Sequence, residues 1–557
     1  MNILALPFSV MEKKGKKKHF GCSIRRSRFP SFRKIIVFPK ETQCWTNCLE
    51  KTKSDCWLVA AFACMTLAPT LVQRCIPSGQ GFDDKYAGIF HFRFWRYGDW
   101  TDVIIDDKLP TLNGELIYLK SSDPAEFWPA LFEKAYAKLY GSYENISGGW
   151  INWALQDITG GIVQRFSVNE NPKSVHRIID LSMQRASLMG ASISIPYKSG
   201  TLVLIRLRNP WGLGEWTGPF SDGSPHWDAI DKVSRAEISP GVIEDGEMSL
   251  IDFSSTFTTL EVCHLTPECW QYESSIHHRT TWKAALAHRQ WRRGYNAGGG
   301  VNSPLISSNC QFYLELTEPT CVIVSLMQKY KICGESRRFL PCSCLVYQVP
   351  KNRTTRLGHQ FFIHNKLYVA SDVEESRDNV GFFSLPSGCY VILPVTSFTG
   401  MEGKFLLRIF TDQTAVIREL DELDQPVPIQ HARFSILNQY VYQLSRQKVY
   451  GKLSYEEFKE LLHRIMGIFH KFSSGHTTMD TYGLRNAVKL AGFSVSNKTL
   501  EALVIRFAAK EIISIEGFVN ALIKLIVAHQ RYNAILNIKP GTSRTMLSEC
   551  LRTAINS

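Results

Sequence analysis

The feature that most constrains the fold is a long stretch without charge, because residues 56–73 contain no acidic or basic side chain. A membrane-spanning helix needs about 20 apolar residues, and this stretch nearly reaches that length. However, Thr66, Pro69, Thr70 and Gln73 interrupt its apolar character. The pattern therefore predicts a helix buried in the core of a sizeable domain, and it predicts no transmembrane segment.

The start of this stretch suggests a reactive thiol. Asp55 precedes Cys56, and the apolar run Trp57–Ala61 follows, so the first helical turn is expected at a surface or cleft. A cysteine in that turn faces the positive end of the helix dipole, which favours the thiolate. The same pattern also fits an ordinary buried cysteine.

A second polar motif follows a predicted strand. The run Leu202–Arg208 has strand-like alternation, and Asn209-Pro210-Trp211-Gly212 comes directly after it. An Asn at a strand end can hold an imidazole ring by accepting its N–H, and a neighbouring Trp can shield that bond from water. A turn Asn before Pro is the alternative interpretation.

Charge and cysteine content exclude several classes of protein. Of the formal net charge of +13, a net +9 falls on residues 1–34, so the rest of the 557-residue chain is nearly neutral. This argues against specific nucleic-acid binding. The basic start is predicted to be a solvated arm, with attachment to an anionic membrane or RNA as the alternative. Fifteen cysteines without a repeating spacing are too sparse for a disulfide scaffold, so a reducing, cytoplasmic location is expected.

The local pattern changes along the chain. Trp282–Thr411 contains short β-branched and aromatic runs separated by turn residues, which is typical of a β-sandwich. His431–His529 shows apolar residues at helical spacing instead. The sequence therefore predicts an α+β multidomain protein. A zinc cluster is disfavoured, because no Cys-x-x-Cys pair occurs among its candidates Cys44, Cys48, Cys56 and Cys64.

Taken together, the motifs around Cys56 and Asn209 resemble the calpain family of calcium-dependent, papain-like cysteine proteases. Further motifs cover the chain from about residue 55 to 528 in the family's order. They are Tyr86–Phe92, Asp106–Pro110, Glu126–Trp128, Glu133–Lys138, Thr159–Gly161, Trp291–Gly294, Ala297–Gly299, Gly388–Ile392 and Gly403–Arg408.

The resemblance implies a domain order. A flexible basic arm is expected at 1–43, and a papain-like protease core in two halves at 44–166 and 167–268. An antiparallel calpain-type β-sandwich is expected at 269–415, and an all-α, penta-EF-hand-like domain at 416–557.

The resemblance also implies an intracellular cysteine endopeptidase that makes limited cuts in proteins. In this chemistry a Cys attacks the peptide carbonyl, a His takes and returns the proton, and an Asn orients the His. Cys56 and Asn209 match the first and last of these roles, and Trp211 matches the residue that supports the Asn.

Two parts of that machinery have no counterpart in this chain. The family carries its His in a Gly-His-Ala-Tyr segment, whereas here Gly190–Gly200 runs directly into Thr201, with no histidine between His176 and His226. His226 follows the Asn and matches no catalytic position. The family's oxyanion Gln is also missing. Glu50-Lys51-Thr52-Lys53-Ser54 precedes Asp55-Cys56 instead, and a carboxylate there would repel the developing negative charge.

These losses predict an inactive chain. Loss of a triad base lowers turnover by about 10⁶, and loss of one oxyanion donor lowers it by roughly 10² to 10³. An inactive paralogue and a variant transcript of an active gene both explain the pattern. The abrupt join between Ala191 and Thr201, between well-matched flanks, favours the transcript. The alternative function is a non-catalytic, calpain-like regulatory or scaffold protein that binds cytoskeletal, membrane or protease partners.

Calcium is the cofactor that the resemblance implies, and it needs several hard oxygen ligands. Glu126 matches a ligand in the first half of the core, where Asn47 stands in place of the usual Asp. A second-half site is predicted to bind calcium, with scattered surface acids as the alternative. Its matching positions are Glu215, Asp222, Asp245 and Glu247, with the Ile243 carbonyl as a further ligand.

The EF-hand-like loops have lost their calcium-binding chemistry, and near Gly451 only Glu457 survives. They are therefore predicted to be structural and not calcium sensors. The liganding positions near Gly451 and Gly475 hold Arg446, Lys448, Tyr450, His470, Phe472 and Ser474, and no Asp occurs in residues 506–518. Expected partners are intracellular proteins and a second chain through the helical domain, although the match fades after Gln530. Phospholipid is a further candidate, through the basic arm or the sandwich acids Asp372, Glu374, Glu375 and Asp378.

Overall fold

The computed structural model describes most of the chain from residue 56 onward. The described residues are 56–66, 69–82, 86–121, 126–168, 175, 178–179, 182, 187–188, 191–197, 200–208, 216–221, 223–230, 245–257, 259–266, 282–329, 338–421, 455–473, 477–509, 511–538 and 544–556. For Cys56 and for the strands at 187–208 and 245–247, the backbone alone is described.

These residues form two compact units, one up to residue 286 together with 410–413, and one from 287 onward without 410–413. The helices before residue 286 are α1 (Cys56–Thr66), α2 (Pro69–Cys75), α3 (Trp128–Tyr140), α4 (Ile151–Thr159) and α5 (Leu250–Thr256). The strands are β1 (Ile89–Arg96), β2 (Asp99–Asp106), β3 (Thr111–Leu112), β4 (Glu115–Leu116), β5 (Ile162–Ser167), β6 (Ser187–Leu188), β7 (Ala191–Tyr197), β8 (Gly200–Arg208), β9 (Asp245–Ser249) and β10 (Thr259–His264).

Helix α1 lies in the core of the first unit because it is apolar on every side. Ala61 and Phe62 are fully buried, and the Phe62 ring meets Phe132 of α3 with centroids 4.2 Å apart. The predicted buried helix is confirmed, but the uncharged stretch forms two helices instead of one. Helix α2 begins at Pro69, because proline fits the first position of a helix and disrupts its interior.

The region after α4 contains two three-stranded sheets, ordered β5-β10-β6 and β7-β8-β9. Strands β7 and β8 form an antiparallel hairpin whose register runs from Ala191 opposite Arg206 to Tyr197 opposite Gly200. The predicted strand over 202–208 is confirmed, and β7 pairs directly with β8 at the abrupt join in the sequence.

Residues 283–419 form the predicted β-sandwich, in sheets ordered β11-β18-β13-β16 and β15-β14-β17-β12-β19. Leu314, Val324 and Phe405 are among the fully buried residues of its core. The sandwich therefore extends past Thr411 to the end of β19. Its elements are β11 (Lys283–Trp291), β12 (Phe312–Leu316), β13 (Thr320–Gln328), β14 (Cys342–Val349), α6 (His359–His364), β15 (Val369–Ala370), β16 (Asp378–Leu385), β17 (Gly388–Thr396), β18 (Gly403–Thr411) and β19 (Ala415–Glu419).

The described residues after 454 are mainly helical, as their spacing predicts. They form α7 (Tyr455–Phe472), β20 (Thr478–Asp480), α8 (Thr481–Leu490), α9 (Asn497–Phe507), β21 (Ile512–Ser514), α10 (Ile515–Ile538) and α11 (Arg544–Asn556). Two helix–strand–helix units are joined because β20 pairs with β21, with Met479 opposite Ile513. Both side chains are fully buried in a core to which all five helices contribute. No helix in the described part of the chain combines the length and apolar character needed to cross a membrane.

Asp421, two residues after β19, makes the stability depend on pH. Both of its carboxylate oxygens lie 3.0 Å from the backbone N–H of Asn497, which donates to them. Burial raises the pKa of Asp421 to about 6 despite this bond and the nearby arginines. An unfolded aspartate has a pKa of about 3.9. The folded state therefore holds this proton more tightly, and the resulting stabilisation, complete below pH ~4, is lost as the pH rises through about 6.

We expect the Asp421→Asn variant to lack this pH dependence, because its side chain does not titrate. Relative to the native chain, its free energy of unfolding should rise by about 1–2 kcal/mol between pH 4 and pH 8. Urea unfolding at a series of pH values measures the difference. Glu318→Gln, at an exposed position, is the control. A native chain and an Asp421→Asn variant with parallel pH profiles would contradict this assignment.

Candidate active site

Cys56 is the first residue of α1, the position predicted for the nucleophile. The next residue, Trp57, fixes the start of the helix. Its indole N–H donates to the Ile146 carbonyl at 3.2 Å, and its ring lies edge-on to Tyr136 with centroids 5.9 Å apart. Because Trp57 directly follows Cys56, its packing also fixes the position of the Cys56 backbone.

A Gly-Gly-Trp segment lies against Trp57. A Cβ at Gly149 would stand 2.5 Å from a ring carbon of Trp57, so a larger residue would displace the indole. Trp150 follows and is 54% exposed. The Arg165 guanidinium lies 5.6 Å from the centroid of its ring, which is a cation–π distance. An exposed aromatic side chain thus lies close to the residue after Cys56, which the sequence analysis missed although Gly148-Gly149-Trp150 is visible in the sequence.

Glu261 is a second residue that the sequence analysis missed. It lies opposite Arg165 in the β5–β10 pair, and its Oε2 is buried without a hydrogen-bond partner. Burial raises the pKa of Glu261 to about 7, although the charge of Arg165 opposes the shift. The carboxyl therefore exchanges its proton near neutral pH. A single Glu within a strand forms no motif, so the sequence carries no signal for this property.

The predicted orienting residues Asn209 and Trp211 lie outside the described residues. The strand that leads to them, β8, ends at Arg208 and lies between β7 and β9. The placement of Asn209 beside Cys56 stays a prediction.

The described histidines of the first unit are His91, His226 and His264, and each contacts other groups. His91 Nε2 lies 2.7 Å from Asp102 Oδ1, and His226 Nδ1 lies 3.1 Å from Ser224 Oγ. The buried His264 lies 3.3 Å from Gln164 Oε1 and edge-on to Trp282. None of these described histidines is in the β7–β8 hairpin, where the family's histidine is expected.

Glu126 is the predicted calcium ligand whose side chain the structure describes. Its carboxylate accepts hydrogen bonds from the Ser121 hydroxyl at 2.6 Å and from the Trp128 indole N–H. Because each carboxylate oxygen has a second lone pair, Glu126 fits the donor chemistry that calcium requires. Among the side chains that the structure describes, no three acidic, His or Cys residues converge as a metal site.

Two of the predicted calcium ligands in the second half of the core lie on β9, and the others lie outside the described residues. Asp245 and Glu247 are two residues apart on β9, opposite Arg208 and Arg206 of β8. Positions two apart in a strand share a face, so the register places both residues on one face of the sheet. Glu215, Asp222 and Ile243 lie outside the described residues.

One member of the predicted acidic loop is bonded inside the sandwich. Asp378 opens β16 and accepts hydrogen bonds from Arg408 at 2.7 Å and from Ser325 at 2.6 Å. Arg408 is buried, so this pair is structural. Asp372, Glu374 and Glu375 are exposed. They are the members of the predicted acidic loop that remain for contact with phospholipid.

Two sequence profiles match this chain. One, described as calpain family cysteine protease, matches residues 37–201 and 194–264. Its two segments overlap within the β7–β8 hairpin. The other, described as calpain large subunit domain III, matches residues 287–410, which is most of the sandwich.

Calpains align with most of the chain. Calpain-9 of Mus musculus is 32% identical over 609 residues, covering 90% of this chain and 87% of the mouse protein. The calpain-1 catalytic subunit of Bos taurus is 32% identical over 588 residues, covering 86% and 81%. Calpain-9 of Homo sapiens is 32% identical over 590 residues, covering 88% and 84%. The alignment with the mouse protein is longer than the 557 residues of this chain, so that relative contains residues without a counterpart here.

Proposed function

The chain belongs to the calpain family of cysteine proteases, and from this membership we propose that it retains the calpain fold but no longer cleaves peptide bonds. The observation that carries the proposal is the direct pairing of β7 with β8. The hairpin stands where the family's histidine segment is expected. The split match of the protease profile at residues 194–201 supports the same interpretation.

The residues proposed for the chemistry have separate roles. Cys56 would attack the peptide carbonyl, since its position at the start of α1 favours a thiolate. Asn209 would orient the histidine, and Trp211 would shield that bond. Without an imidazole, the thiol proton has no acceptor and the leaving amine has no proton donor. The nucleophile is therefore retained without the base on which its turnover depends.

The oxyanion site is proposed to be defective as well. A carboxylate at Glu50, in place of the family's amide donor, would oppose the negative charge that develops on the carbonyl oxygen. Both defects act on the transition state, so they would lower turnover and leave peptide binding possible.

We propose that calcium binds in the protease core. In the family, bound calcium brings the two halves of the core into a competent cleft. Glu126 would serve the first-half site, and Asp245 and Glu247 on one face of β9 would serve the second with Glu215 and Asp222. The carboxylate chemistry of Glu126 and the spacing along β9 support this assignment.

We propose that the residues after 454 are a degenerate penta-EF-hand domain. The pairing of β20 with β21 between two helix pairs is the arrangement expected of paired hands. Residues 508–513 read Ala-Ala-Lys-Glu-Ile-Ile, which lacks the alternating acids of a calcium loop. These loops would join helices without binding calcium.

A binding role is the second candidate function. The sandwich and the helical region keep continuous buried cores even though the protease chemistry is incomplete. This retention favours a calpain-like scaffold for intracellular proteins or membranes. The buried free thiols of Cys310, Cys342, Cys344 and Cys389 support an intracellular, reducing location.

Labelling with a thiol-directed protease probe tests the loss of activity. We expect the native chain and the Cys56→Ala variant to be labelled equally with and without calcium. A helix start alone favours the thiolate only modestly, and without an imidazole to take its proton Cys56 should react slowly. Cys64→Ala is the matched control, since Cys64 is a buried residue of the same helix. Calcium-dependent labelling at Cys56 about tenfold or more above the Cys56→Ala level would refute the proposal.

A further inference from the structure

The turn after β11 contacts the helical region within the second unit. We call this turn, residues 292–297, the clasp. Arg292 Nε lies 2.8 Å from Glu501 Oε1 on α9, and Arg293 Nε lies 3.3 Å from Glu511 Oε1, just before β21. Arg292 Nε makes no directed hydrogen bond, so its contact with Glu501 is ionic. Two cations of the sandwich therefore face two anions of the helical region.

The backbone of the clasp is shaped for this contact. Gly294 has φ +69°, a left-handed conformation that favours glycine. A Cβ at this position would stand 2.1 Å from the hydroxyl oxygen of Thr481, the first residue of α8. The close approach of the two regions therefore depends on the absence of a side chain here.

Neutral hydrogen bonds surround the ion pairs. The Tyr295 hydroxyl donates to the Asn497 carbonyl at 2.6 Å, and Tyr295 packs against the helical core. In the opposite direction, the Tyr482 hydroxyl donates to the Ala297 carbonyl at 2.9 Å. Asn497 also donates its backbone N–H to Asp421. The clasp therefore both donates hydrogen bonds to the helical region and accepts them from it. These bonds fix the position of the start of α9.

The ion pairs are partly exposed. The side chains of Arg292 and Glu501 are 36% and 33% exposed, and those of Arg293 and Glu511 are 56% and 41% exposed. Single pairs of this kind contribute little. The Gly400 carbonyl accepts from Arg293 Nε at 3.1 Å and so holds this guanidinium in place. A measurable effect is therefore expected when both pairs are changed together.

We propose that the clasp holds α8 and α9 on the sandwich with the protein's own cations, so that this docking does not depend on calcium. Glu511 is the acid of the segment between α9 and β21, and its carboxylate faces Arg293. With φ +69° just before β21, Glu511 stands at the sixth position of the loop from Arg506, where a calcium-binding hand carries glycine and no ligand. The helical region is thereby a fixed part of the second unit and does not respond to calcium. This inference is independent of whether Cys56 is active.

Charge exchange in the full chain tests the clasp. We expect the reversed pair Arg292→Glu/Arg293→Glu to increase amide hydrogen exchange in α8 and α9 about tenfold, because both contacts become repulsive. Adding Glu501→Arg/Glu511→Arg should return the exchange to within about twofold of the native rate. Lys351→Glu breaks a sandwich ion pair with Glu315 outside the clasp, and it should leave α8 and α9 unchanged.

Two further measurements decide the case if the reversed variant does not fold. The neutral Arg292→Gln/Arg293→Gln variant should increase exchange in α8 and α9 severalfold, and molar salt should do the same to the native chain through screening. Exchange in α8 and α9 that is unchanged in both experiments would overturn the proposal. So would a reversed variant that folds and is not rescued by the exchanged charges.

Calcium titration tests the second half of the proposal. Millimolar calcium should leave the exchange of residues 508–514 and of α9 unchanged in the native chain. Calcium-dependent protection of this segment would show that the ion orders this loop, and it would overturn the proposal. Because the readout is amide exchange and not peptide cleavage, the result is separate from that of the probe labelling.

Discussion

A chain that regains a histidine-bearing strand is expected to hydrolyse peptides roughly 10⁶ times faster than the native chain. The change inserts the family's Gly-His-Ala-Tyr segment, with flanking strand residues, between Tyr197 and Gly200, and replaces Glu50→Gln. The inserted imidazole would accept the Cys56 proton, and the amide would donate to the oxyanion. Initial rates on a fluorogenic peptide in calcium measure the effect.

Two controls separate chemistry from folding in that experiment. The same insertion with alanine in place of the inserted histidine keeps the added strand and lacks the base. Cys56→Ala in the restored chain lacks the nucleophile. Both should return the rate to the native level. A folded, restored chain no faster than its alanine control would show that the missing segment is not what prevents cleavage.

The Phe132→Ala variant is expected to lower the free energy of unfolding by about 3–5 kcal/mol. Phe132 is fully buried, and its ring lies edge-on to Phe62 at 4.2 Å, Phe94 at 5.1 Å and Phe92 at 5.6 Å between centroids. Removing it leaves a cavity where α1, α3 and β1 meet, and a close-packed interior refills such a space only in part.

Urea unfolding followed by the fluorescence of the first unit measures this loss. Leu112→Ala is the control, because Leu112 is 55% exposed and its truncation should change the free energy by less than about 0.5 kcal/mol. Equal midpoints for the two variants would mean that Phe132 is not part of the core that limits unfolding.

Patterns of several residues predicted the fold well. The absence of charge over residues 56–73 predicted burial, since any charge there would need a partner in the core. The alternation over 202–208 predicted β8. The break at Pro69 was foreseen as an interruption but not as a new helix start, because proline both ends one helix and suits the beginning of another.

Properties that depend on tertiary contact were not predictable in the same way. The pKa of Glu261 follows from burial beside a strand partner more than ninety residues earlier in the chain. The clasp joins Arg292 to Glu501 across more than two hundred residues, and Trp291–Gly294 was visible only as a family motif. Local sequence does not encode which distant group a side chain meets, so these features follow only from the tertiary structure.

The clasp also has a consequence for shorter forms of this protein. A chain ending after Asp421 would keep Arg292, Arg293 and Tyr295 but lose the carboxylates and the apolar surface that they contact. The sandwich would then present a cationic, aromatic face to solvent, and such a face attracts acidic proteins. Splicing or proteolysis that removes the residues after Asp421 would therefore delete the helical region and also expose a new binding surface on the sandwich.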